Sequence, residues 1–382
     1  MRRASLHLMI VFTCINPTEA TRVFSFYSGV ITWAFWSQRG NCAHSIQLSL
    51  SFTMKSSCWW EFSPCWLPLS VALGHWYSRM QRKNFTEVAE FIFLGFSIFG
   101  NHQITLFVVF LTTYIFTLTG NIIVITVICI DRHLHTPMYF FLSMLSSSET
   151  VYTLVIIPRM LSGLIFYNQP ISLGSCATQM FFFAMLAINN CFLFTVMGYD
   201  RYVAICKPLH YSSIMNTQMC IRLVMISWII GFVHSISQLA IIIQLPFCGP
   251  RELDSFFCDI PLVIKLACVD TYVLEILINA DSGVLATVCF ILLLISYSYI
   301  LLTLCHQSKD GASKAFSTCT AHITVVMLFF GPCIFIYLFP LNITWVDKFL
   351  AVFYAAITPL LNPVIYTLRN KEIKIAIKRL WW

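Results

Sequence analysis

The chain has 382 residues, of which 58% are hydrophobic and 10% are charged, and its formal net charge is +7 at neutral pH. A soluble globular domain carries about 25% charged residues, so this composition excludes an ordinary soluble protein and indicates a membrane protein. The basic residues cluster beside apolar runs and form no basic stripe with interleaved aromatic residues, which argues against a nucleic-acid partner.

The first 79 residues do not share the pattern of the rest of the chain. They are rich in Ser and Trp and contain no convincing apolar span. Met1–Ala20 weakly resembles a signal peptide, but Met80 begins a plausible short tail, so the alternative is a non-native or mis-assigned extension. We favour this second interpretation. We expect residues 1–79 to be disordered and residues 80–104 to form an extracellular tail.

Seven apolar runs follow, each near the roughly 20 residues that a helix needs to cross a bilayer. Lipid offers the backbone no hydrogen-bond partners, so all seven are predicted to be helices, and the alternating pattern of a membrane barrel is absent. The sequence therefore predicts an all-α membrane protein with a seven-transmembrane helix bundle over residues 105–368. The predicted spans are Thr105–Ile130, Met138–Leu164, Cys176–Val203, Cys220–Ile243, Glu275–Leu304, Lys314–Leu338 and Lys348–Leu368.

The basic residues of the loops predict the orientation of the bundle. With the Asp200–Arg222 loop inside, the inner segments hold eleven basic and four acidic residues, and the outer segments after Met80 hold six basic and eight acidic residues. Basic residues favour the cytoplasmic side, so we expect an outer amino terminus and an inner carboxyl terminus. Residues 369–382 would form a cytoplasmic tail, in which Lys371–Trp382 is predicted to be a short amphipathic helix on the inner leaflet.

Two features belong to the predicted outer surface. Asn84 begins an N-glycosylation sequon on the exposed tail, whereas the sequon at Asn342 lies in a tight loop and is disfavoured. Four cysteines lie on the same oxidising side, where free thiols are uncommon, and the sequence alone allows three pairings among them. These cysteines are Cys176, Cys248, Cys258 and Cys268.

Six motifs in a fixed order give the chain from Asn84 onward its family resemblance. They are Gly120-Asn121, LHTPMYFFLSMLS over Leu134–Ser146, MGYDRYVAICKPLHY over Met197–Tyr211, Ser296-Tyr297, KAFSTCTAH over Lys314–His322 and PLLNPVIYTLRN over Pro359–Asn370. Through them the chain resembles an olfactory receptor, a branch of the rhodopsin-like G-protein-coupled receptors. It departs from the family pattern at Gly198, where Ala is usual, at Asn190, where an acid is common, and at Phe330, where Tyr is common.

The resemblance implies a function and its partners. It implies a multi-pass receptor of the plasma membrane that binds small volatile odorants from outside. Inside, it implies coupling to a stimulatory olfactory G protein, with cyclic AMP made by a separate cyclase. It also implies the disulfides Cys176–Cys258 and Cys248–Cys268. Membrane lipids are the other expected partner, and no cofactor, metal or nucleic acid is expected.

An Asp-Arg pair at the end of the third span is the predicted switch. Such a pair is costly in lipid but reasonable at the cytoplasmic mouth of a bundle, where Asp200 can hold Arg201 until something displaces it. Tyr202 follows directly, and Tyr297 and Tyr366 are placed near the cytoplasmic ends of their spans to receive the arginine. The alternative is a plain arginine at the membrane border that reaches towards water.

Polar residues inside the spans suggest two further elements. Pro363 removes a backbone hydrogen bond and Asn362 can take up the freed groups, which gives either a hinge or a static kink. Glu149 could form a polar centre with Asn121, Asn190 and Asn362 that holds Na⁺, or a proton and water. The alternative is a protonated, hydrogen-bonded Glu149.

A ligand pocket is predicted from helical spacing in the third, fifth and sixth spans. Small alanines beside larger apolar side chains would leave room for a small hydrophobic molecule, although small residues serve helix packing equally well. Asp281 could bind a polar group of a ligand or could cap and pack within the bundle. The predicted pocket residues are Met180, Phe183, Ala184, Ala187, Ile188, Asp281, Leu285, Cys333, Ile334 and Tyr337.

Two other classes of function compete with a receptor. A transporter or channel should show repeats in matching halves, and the chain shows no similarity between its halves. A membrane enzyme is disfavoured because HExxH, GxSxG and a Gly-rich phosphate loop are all absent. His306 and His322 are expected to be interfacial.

Overall fold

A computed structural model of the chain describes residues 22–27, 30–35, 90–94, 102–166, 169–247, 251–305, 309–338, 350 and 352–381. The chain divides into two compact units, Met1–Leu67 and Pro68–Trp382. In the first unit, strand β1 (Arg22–Tyr27) pairs antiparallel with strand β2 (Val30–Phe35). This hairpin has no counterpart in the sequence prediction, and the assignment of residues 1–79 to an atypical extension stays a prediction.

The second unit is mostly helical, as predicted. Among the described residues, five of its helices are long and apolar enough to cross a membrane, namely Gln103–Ile130, Pro137–Ile165, Leu173–Cys206, Thr217–Ile242 and Tyr272–Leu304. In chain order the described α-helices are α1 (Gln103–Ile130), α2 (Pro137–Ile165), α3 (Leu173–Cys206), α4 (Tyr211–Ile214), α5 (Thr217–Ile242), α6 (Ile260–Ile264), α7 (Tyr272–Cys305), α8 (Lys309–Leu338), α9 (Thr358–Arg369) and α10 (Lys371–Trp381).

The predicted sixth and seventh spans lie in α8 and α9. Within α8 the described apolar portion is the shorter stretch His322–Ile336. A π-helical turn, Phe353–Ile357, leads into α9, which has 12 residues. A multi-pass helical membrane protein is therefore confirmed, whereas the count of seven spans and the orientation stay predictions.

Local sequence sets where several helices begin. Ser172 precedes α3 and its hydroxyl accepts a hydrogen bond from the backbone N–H of Ser175. Asn216 caps α5 in the same way through the N–H of Met219, at 2.9 Å. Pro137 occupies the first turn of α2, where its missing N–H costs nothing. These caps place the loops between apolar helices at defined positions.

Helix α3 is the centre of the bundle, since it packs against α2, α5, α7 and α8. The outward faces of α5 and α7 carry large apolar side chains that are about half exposed, among them Ile229, Phe232, Val284 and Ile291. Such a broad apolar surface suits contact with lipid and would be unfavourable in water.

A small sheet lies at the end of the bundle where α3 begins, and it corrects the all-α prediction in detail. Strand β3 (Glu90–Phe93) pairs antiparallel with β4 (Pro170–Ser172) and parallel with β5 (Glu252–Leu253). Phe91 of β3 is fully buried and packs edge-on against Phe247, with ring centroids 5.5 Å apart. We call this the disulfide end, because it contains Cys176, and we call the opposite end of α3 the Arg201 end.

Helix α10 is held at the Arg201 end against the turn between α1 and α2. The hydroxyl of Tyr139 donates to Glu372 of α10 at 2.6 Å, and Arg379 of α10 forms an ion pair with Asp131 at 3.3 Å. The backbone N–H and ring of His133 bind the same Asp131 carboxylate, and these hydrogen bonds lower its pKa. The helix is amphipathic, as predicted: Ile373 and Ala376 are buried, while Lys374 and Lys378 are exposed.

Candidate functional site

Asp200 and Arg201 form the ion pair that the sequence predicts. Nη2 and Nε of Arg201 lie 2.9 and 3.2 Å from Oδ2 of Asp200. The aspartate side chain is fully buried, and the arginine side chain is 21% exposed. A buried carboxylate needs partners for both of its oxygens, and the second oxygen accepts a hydrogen bond from the hydroxyl of Tyr211 at 2.8 Å.

Tyr211 is a functional candidate that the sequence reading missed. It begins the short helix α4, and burial, followed by the charge of Asp200, raises the pKa of its phenol above the usual range. The phenol therefore stays protonated and donates at physiological pH. The feature of the sequence that could have pointed to Tyr211 is its position as the last residue of the MGYDRYVAICKPLHY motif. Tyr202 packs its ring near Tyr299 of α7, with centroids 5.9 Å apart.

The two tyrosines predicted to receive Arg201 are engaged elsewhere or buried in this conformation. Tyr297 on α7 is hydrogen-bonded to Nδ1 of His322 on α8. The rings of His322 and Tyr366 are also neighbours, with centroids 6.4 Å apart, and the hydroxyl of Tyr366 is buried without a hydrogen-bond partner among the described residues. His322 is only 1% exposed, while the expectation that it is interfacial stays a prediction.

The predicted polar centre is buried, and one contact joins two of its members. The side-chain amide of Asn362 donates to Oε1 of Glu149, while Oε2 of Glu149 has no partner among the described residues. Asn121 donates to the backbone carbonyls of Thr117 and Pro359, at 3.1 and 3.4 Å. Asn190 is 3% exposed, and its side-chain oxygen is also without a partner in the described structure.

Pro363 lies inside α9 at a close approach to α1. A Cβ atom built on Gly120 would lie 3.1 Å from both Cβ and Cγ of Pro363, so the glycine lets the two helices approach. The π-helical turn Phe353–Ile357 precedes this point. Irregular turns and prolines are the usual sites of helix bending, and both occur within the short stretch from Phe353 to Pro363.

A cavity of about 40 Å³ lies between α3, α5, α7 and α8, towards the disulfide end. Five predicted pocket residues line it, namely Phe183, Ala184, Ala187, Ile188 and Cys333. Three others, Met180, Leu285 and Ile334, do not line this cavity. Met180 packs instead into the apolar cluster around Cys176, and the side chain of Tyr337 lies outside the described residues.

One wall of this cavity is polar, and the sequence reading found only one of its residues. His234 and Gln238 of α5 face Asp281 and Ser282 of α7. Nδ1 of His234 lies 3.1 Å from Oδ2 of Asp281, and the amide nitrogen of Gln238 lies 3.0 Å from the hydroxyl of Ser282. Asp281 therefore binds within the bundle and reaches the cavity only through its neighbours. Isolated His, Gln and Ser residues in apolar helices carry no motif that marks them.

The loop before α7 covers the cavity and is held by a disulfide. Cys258 is bonded to Cys176 of α3, and its backbone N–H donates to the side chain of Gln179 at 2.8 Å. The next residues, Asp259, Ile260 and Pro261, line the cavity. Cys268 is also disulfide-bonded. Cys248 and the predicted glycosylation site Asn84 lie outside the described residues.

The described side chains do not include three His, Cys, Asp or Glu residues placed to hold a metal ion. The site thus consists of a small, mainly apolar cavity at the disulfide end and an ion pair at the Arg201 end of the same helix. Comparison with known proteins shows to which family the chain belongs. A family model described as olfactory receptor matches residues 110–382.

The chain belongs to the olfactory receptor family. It is 58% identical to human (Homo sapiens) Olfactory receptor 10J5 over 306 residues, which cover 78% of this chain and 98% of that relative. It is 59% identical to mouse (Mus musculus) Olfactory receptor 10J5 over 303 residues, with the same coverage. Human Olfactory receptor 10J1 is 54% identical over 303 residues, which are 78% of this chain and 94% of the relative. The chain is therefore a receptor and not an enzyme.

Proposed function

We propose that this olfactory receptor binds small, mainly hydrophobic odorants in the cavity between α3, α5, α7 and α8 and activates a stimulatory heterotrimeric G protein, which raises cyclic AMP. The observation that carries the proposal is the position of the cavity and of the Asp200–Arg201 pair on one helix. Cys176 and Arg201 are about 25 residues apart in α3, or about 37 Å at 1.5 Å per residue. That distance is enough to join the two faces of a membrane.

We further propose that the disulfide end is extracellular and the Arg201 end cytoplasmic, with α8 and the segment ending in α9 as the sixth and seventh spans. A disulfide is expected on the oxidising side of the plasma membrane. The loops at the Arg201 end contain basic residues, Lys207 and Arg222 among them, and basic loops favour the cytoplasmic side. The amphipathic α10 would then lie on the inner leaflet, which attracts its basic residues.

In the proposed switch, the receptor is in its resting state while Asp200 and Arg201 are paired. The buried Asp200 has partners for both oxygens, from Arg201 and Tyr211, so this state is well satisfied. An odorant shifts the population only if it binds the other state more tightly. The cavity of about 40 Å³ holds no more than a few water molecules, so an odorant must move its walls. Movement of α7 or α8 would reach Tyr297 and His322, which join these two helices near Arg201.

The test is cyclic AMP output in cells that express the full chain, measured against an odorant panel. We expect Arg201→Ala to abolish the odorant response while surface expression is retained. Arg222→Ala is the matched control, because it removes an exposed arginine from the same end of the bundle. Odorant-dependent ion flux in cells without the G protein would show a channel instead, and the proposal would then be wrong.

A further inference from the structure

The polar wall of the cavity has a definite hydrogen-bonding capacity. It consists of His234 and Gln238 on α5 and of Asp281 and Ser282 on α7. Gln238 and Ser282 also line the cavity, and both are almost fully buried. Buried polar groups are costly unless they are paired, so an entering molecule must match the capacity that the four side chains leave over.

All the donor hydrogens of this wall are used within it. Nδ1 of His234 faces Oδ2 of Asp281 at 3.1 Å. In a neutral imidazole this contact places the ring proton on Nδ1 and leaves Nε2 as an acceptor. The hydroxyl of Ser282, 3.4 Å from Nε2, then donates to the histidine. The two amide hydrogens of Gln238 are directed to Ser282 at 3.0 Å and to Asp281 at 3.4 Å.

The hydrogen-bonding capacity that these four side chains leave unused is that of an acceptor. Among the hydrogen bonds of the described residues, Oε1 of Gln238 accepts none. Asp281 does not line the cavity, so Oε1 of Gln238 is the acceptor that an entering molecule meets on this wall. Apart from Asp259 of the covering loop, the other walls are apolar, formed by residues such as Phe183, Ala187 and Phe329. The cavity therefore presents apolar surface on most sides and a hydrogen-bond acceptor on this wall.

We propose that the cavity selects small apolar molecules with one hydrogen-bond donor, an alcohol hydroxyl or an amine N–H, over ketones, ethers and esters that only accept. This inference rests on the proposed odorant-receptor function and names its ligand class. An acceptor-only head group placed at Gln238 would meet another acceptor, and both would stay unpaired. A site that leaves buried polar groups unpaired discriminates strongly against the wrong analogue.

Matched sets of compounds on one apolar skeleton test this selection. Cyclohexanol, cyclohexylamine, cyclohexanone and methoxycyclohexane form one such set, and octyl and terpene sets extend it to other shapes. Binding is measured by the ligand-dependent thermal unfolding of the purified full chain, and signalling by cyclic AMP. We expect the better of the alcohol and the amine to bind about tenfold more tightly than the ketone and the ether. The comparison of alcohol with amine identifies which donor is preferred.

Two variants distinguish ligand selection by this hydrogen-bond network from ligand selection by the shape of the cavity. Ser282→Ala releases one amide hydrogen of Gln238 towards the cavity, so the ketone should gain affinity and the donor preference should shrink several-fold. Gln238→Leu removes the free acceptor and should abolish the preference. Ser237→Ala is the matched control, because this neighbouring hydroxyl donates to the carbonyl of His234 in its own helix at 2.8 Å and does not line the cavity. It should keep the wild-type preference.

Equal binding of ketone, ether and alcohol by the wild-type chain overturns the donor selection, and so does a preference that both network variants retain. The absence of a thermal shift with all the compounds overturns it as well. Thermal shifts that favour donors without any cyclic AMP response have a different meaning: they support the selection and contradict the proposed signalling function.

Discussion

The hydroxyl of Tyr211 donates a hydrogen bond to Oδ1 of Asp200, over 2.8 Å, while Arg201 binds the other carboxylate oxygen. This contact ties the short helix α4 to the end of α3. It makes the proposed resting state a three-residue arrangement in which a buried aspartate is satisfied on both oxygens. Removal of one partner should therefore affect the balance between the resting and active states.

Tyr211→Phe tests this balance. The loss of the hydroxyl leaves a buried carboxylate oxygen unpaired, which costs about 1–3 kcal/mol in the resting state. We expect cyclic AMP without odorant to rise several-fold at unchanged surface expression. Tyr199→Phe is the control, since Tyr199 is 40% exposed and should leave the basal signal unchanged. A basal signal that stays at the wild-type level in Tyr211→Phe would contradict the role of Tyr211.

Three glycines in the helices provide a graded test of packing. A Cβ at Gly231 would lie 2.5 Å from the backbone oxygen of Met185, which cannot move away easily. A Cβ at Gly198 would lie 2.5 Å from the end of the flexible Leu293 side chain, and one at Gly163 would meet nothing within 4 Å. The predicted order of destabilisation by alanine is therefore Gly231, then Gly198, then Gly163.

The measurement is the thermal unfolding midpoint of each purified variant. We expect Gly231→Ala to lose about 3 kcal/mol or more and Gly198→Ala about 1–2 kcal/mol, as for overpacked cores. Gly163→Ala should be neutral or stabilising by up to about 1 kcal/mol, because alanine favours the helix. If Gly163→Ala is the most destabilised of the three, the helix contacts described above are incorrect.

The contact between Asn362 and Glu149 predicts a stability difference between two variants. Asn362→Leu removes the donor and leaves the buried carboxyl group without that hydrogen bond, which should cost about 1–3 kcal/mol. Glu149→Gln keeps an oxygen that can accept from Asn362 and should cost less. Thermal unfolding of the two purified variants decides the order, and the reverse order would argue against this contact.

The disulfide between Cys176 and Cys258 closes a separation of 82 residues. We expect Cys176→Ser to destabilise the receptor by about 2–5 kcal/mol, in line with other structural disulfides. The double variant Cys176→Ser/Cys258→Ser should lose no more than the single variant, since either change breaks the same bond. Cys129→Ser, at an exposed free cysteine, should have little effect. Equal midpoints for all of these proteins would show that the bond adds no stability.

The sequence predicted those features that depend on local pattern. Apolar runs located the five helices of membrane-spanning length to within a few residues; α3, for example, extends three residues beyond its predicted span at each end. The Asp200–Arg201 pair was also predictable, because neighbouring charged residues at the end of an apolar helix have few other partners. The six motifs in fixed order indicated the olfactory receptor family.

The sequence did not predict the contacts between residues that are far apart in the chain. The strand β3 pairs with residues about 80 and 160 positions away, and none of the three short strands has a pattern strong enough to predict. The polar wall needs His234 and Asp281 to meet across two helices, which the spacing within either helix does not reveal. His322 packs against Tyr297 and Phe194 from two other helices, and no pattern in the sequence indicated these contacts.

The central claim is that the cavity at the disulfide end and the Asp200–Arg201 pair at the opposite end are energetically coupled. Coupling between two sites is reciprocal, so a G protein bound at the Arg201 end must raise the affinity for odorant. The most direct test is odorant affinity in membranes that contain the full chain, with and without the nucleotide-free stimulatory G protein. We predict an affinity at least about fivefold higher with the G protein, and no such gain in Arg201→Ala. The same affinity under both conditions in the wild-type receptor would contradict the claim.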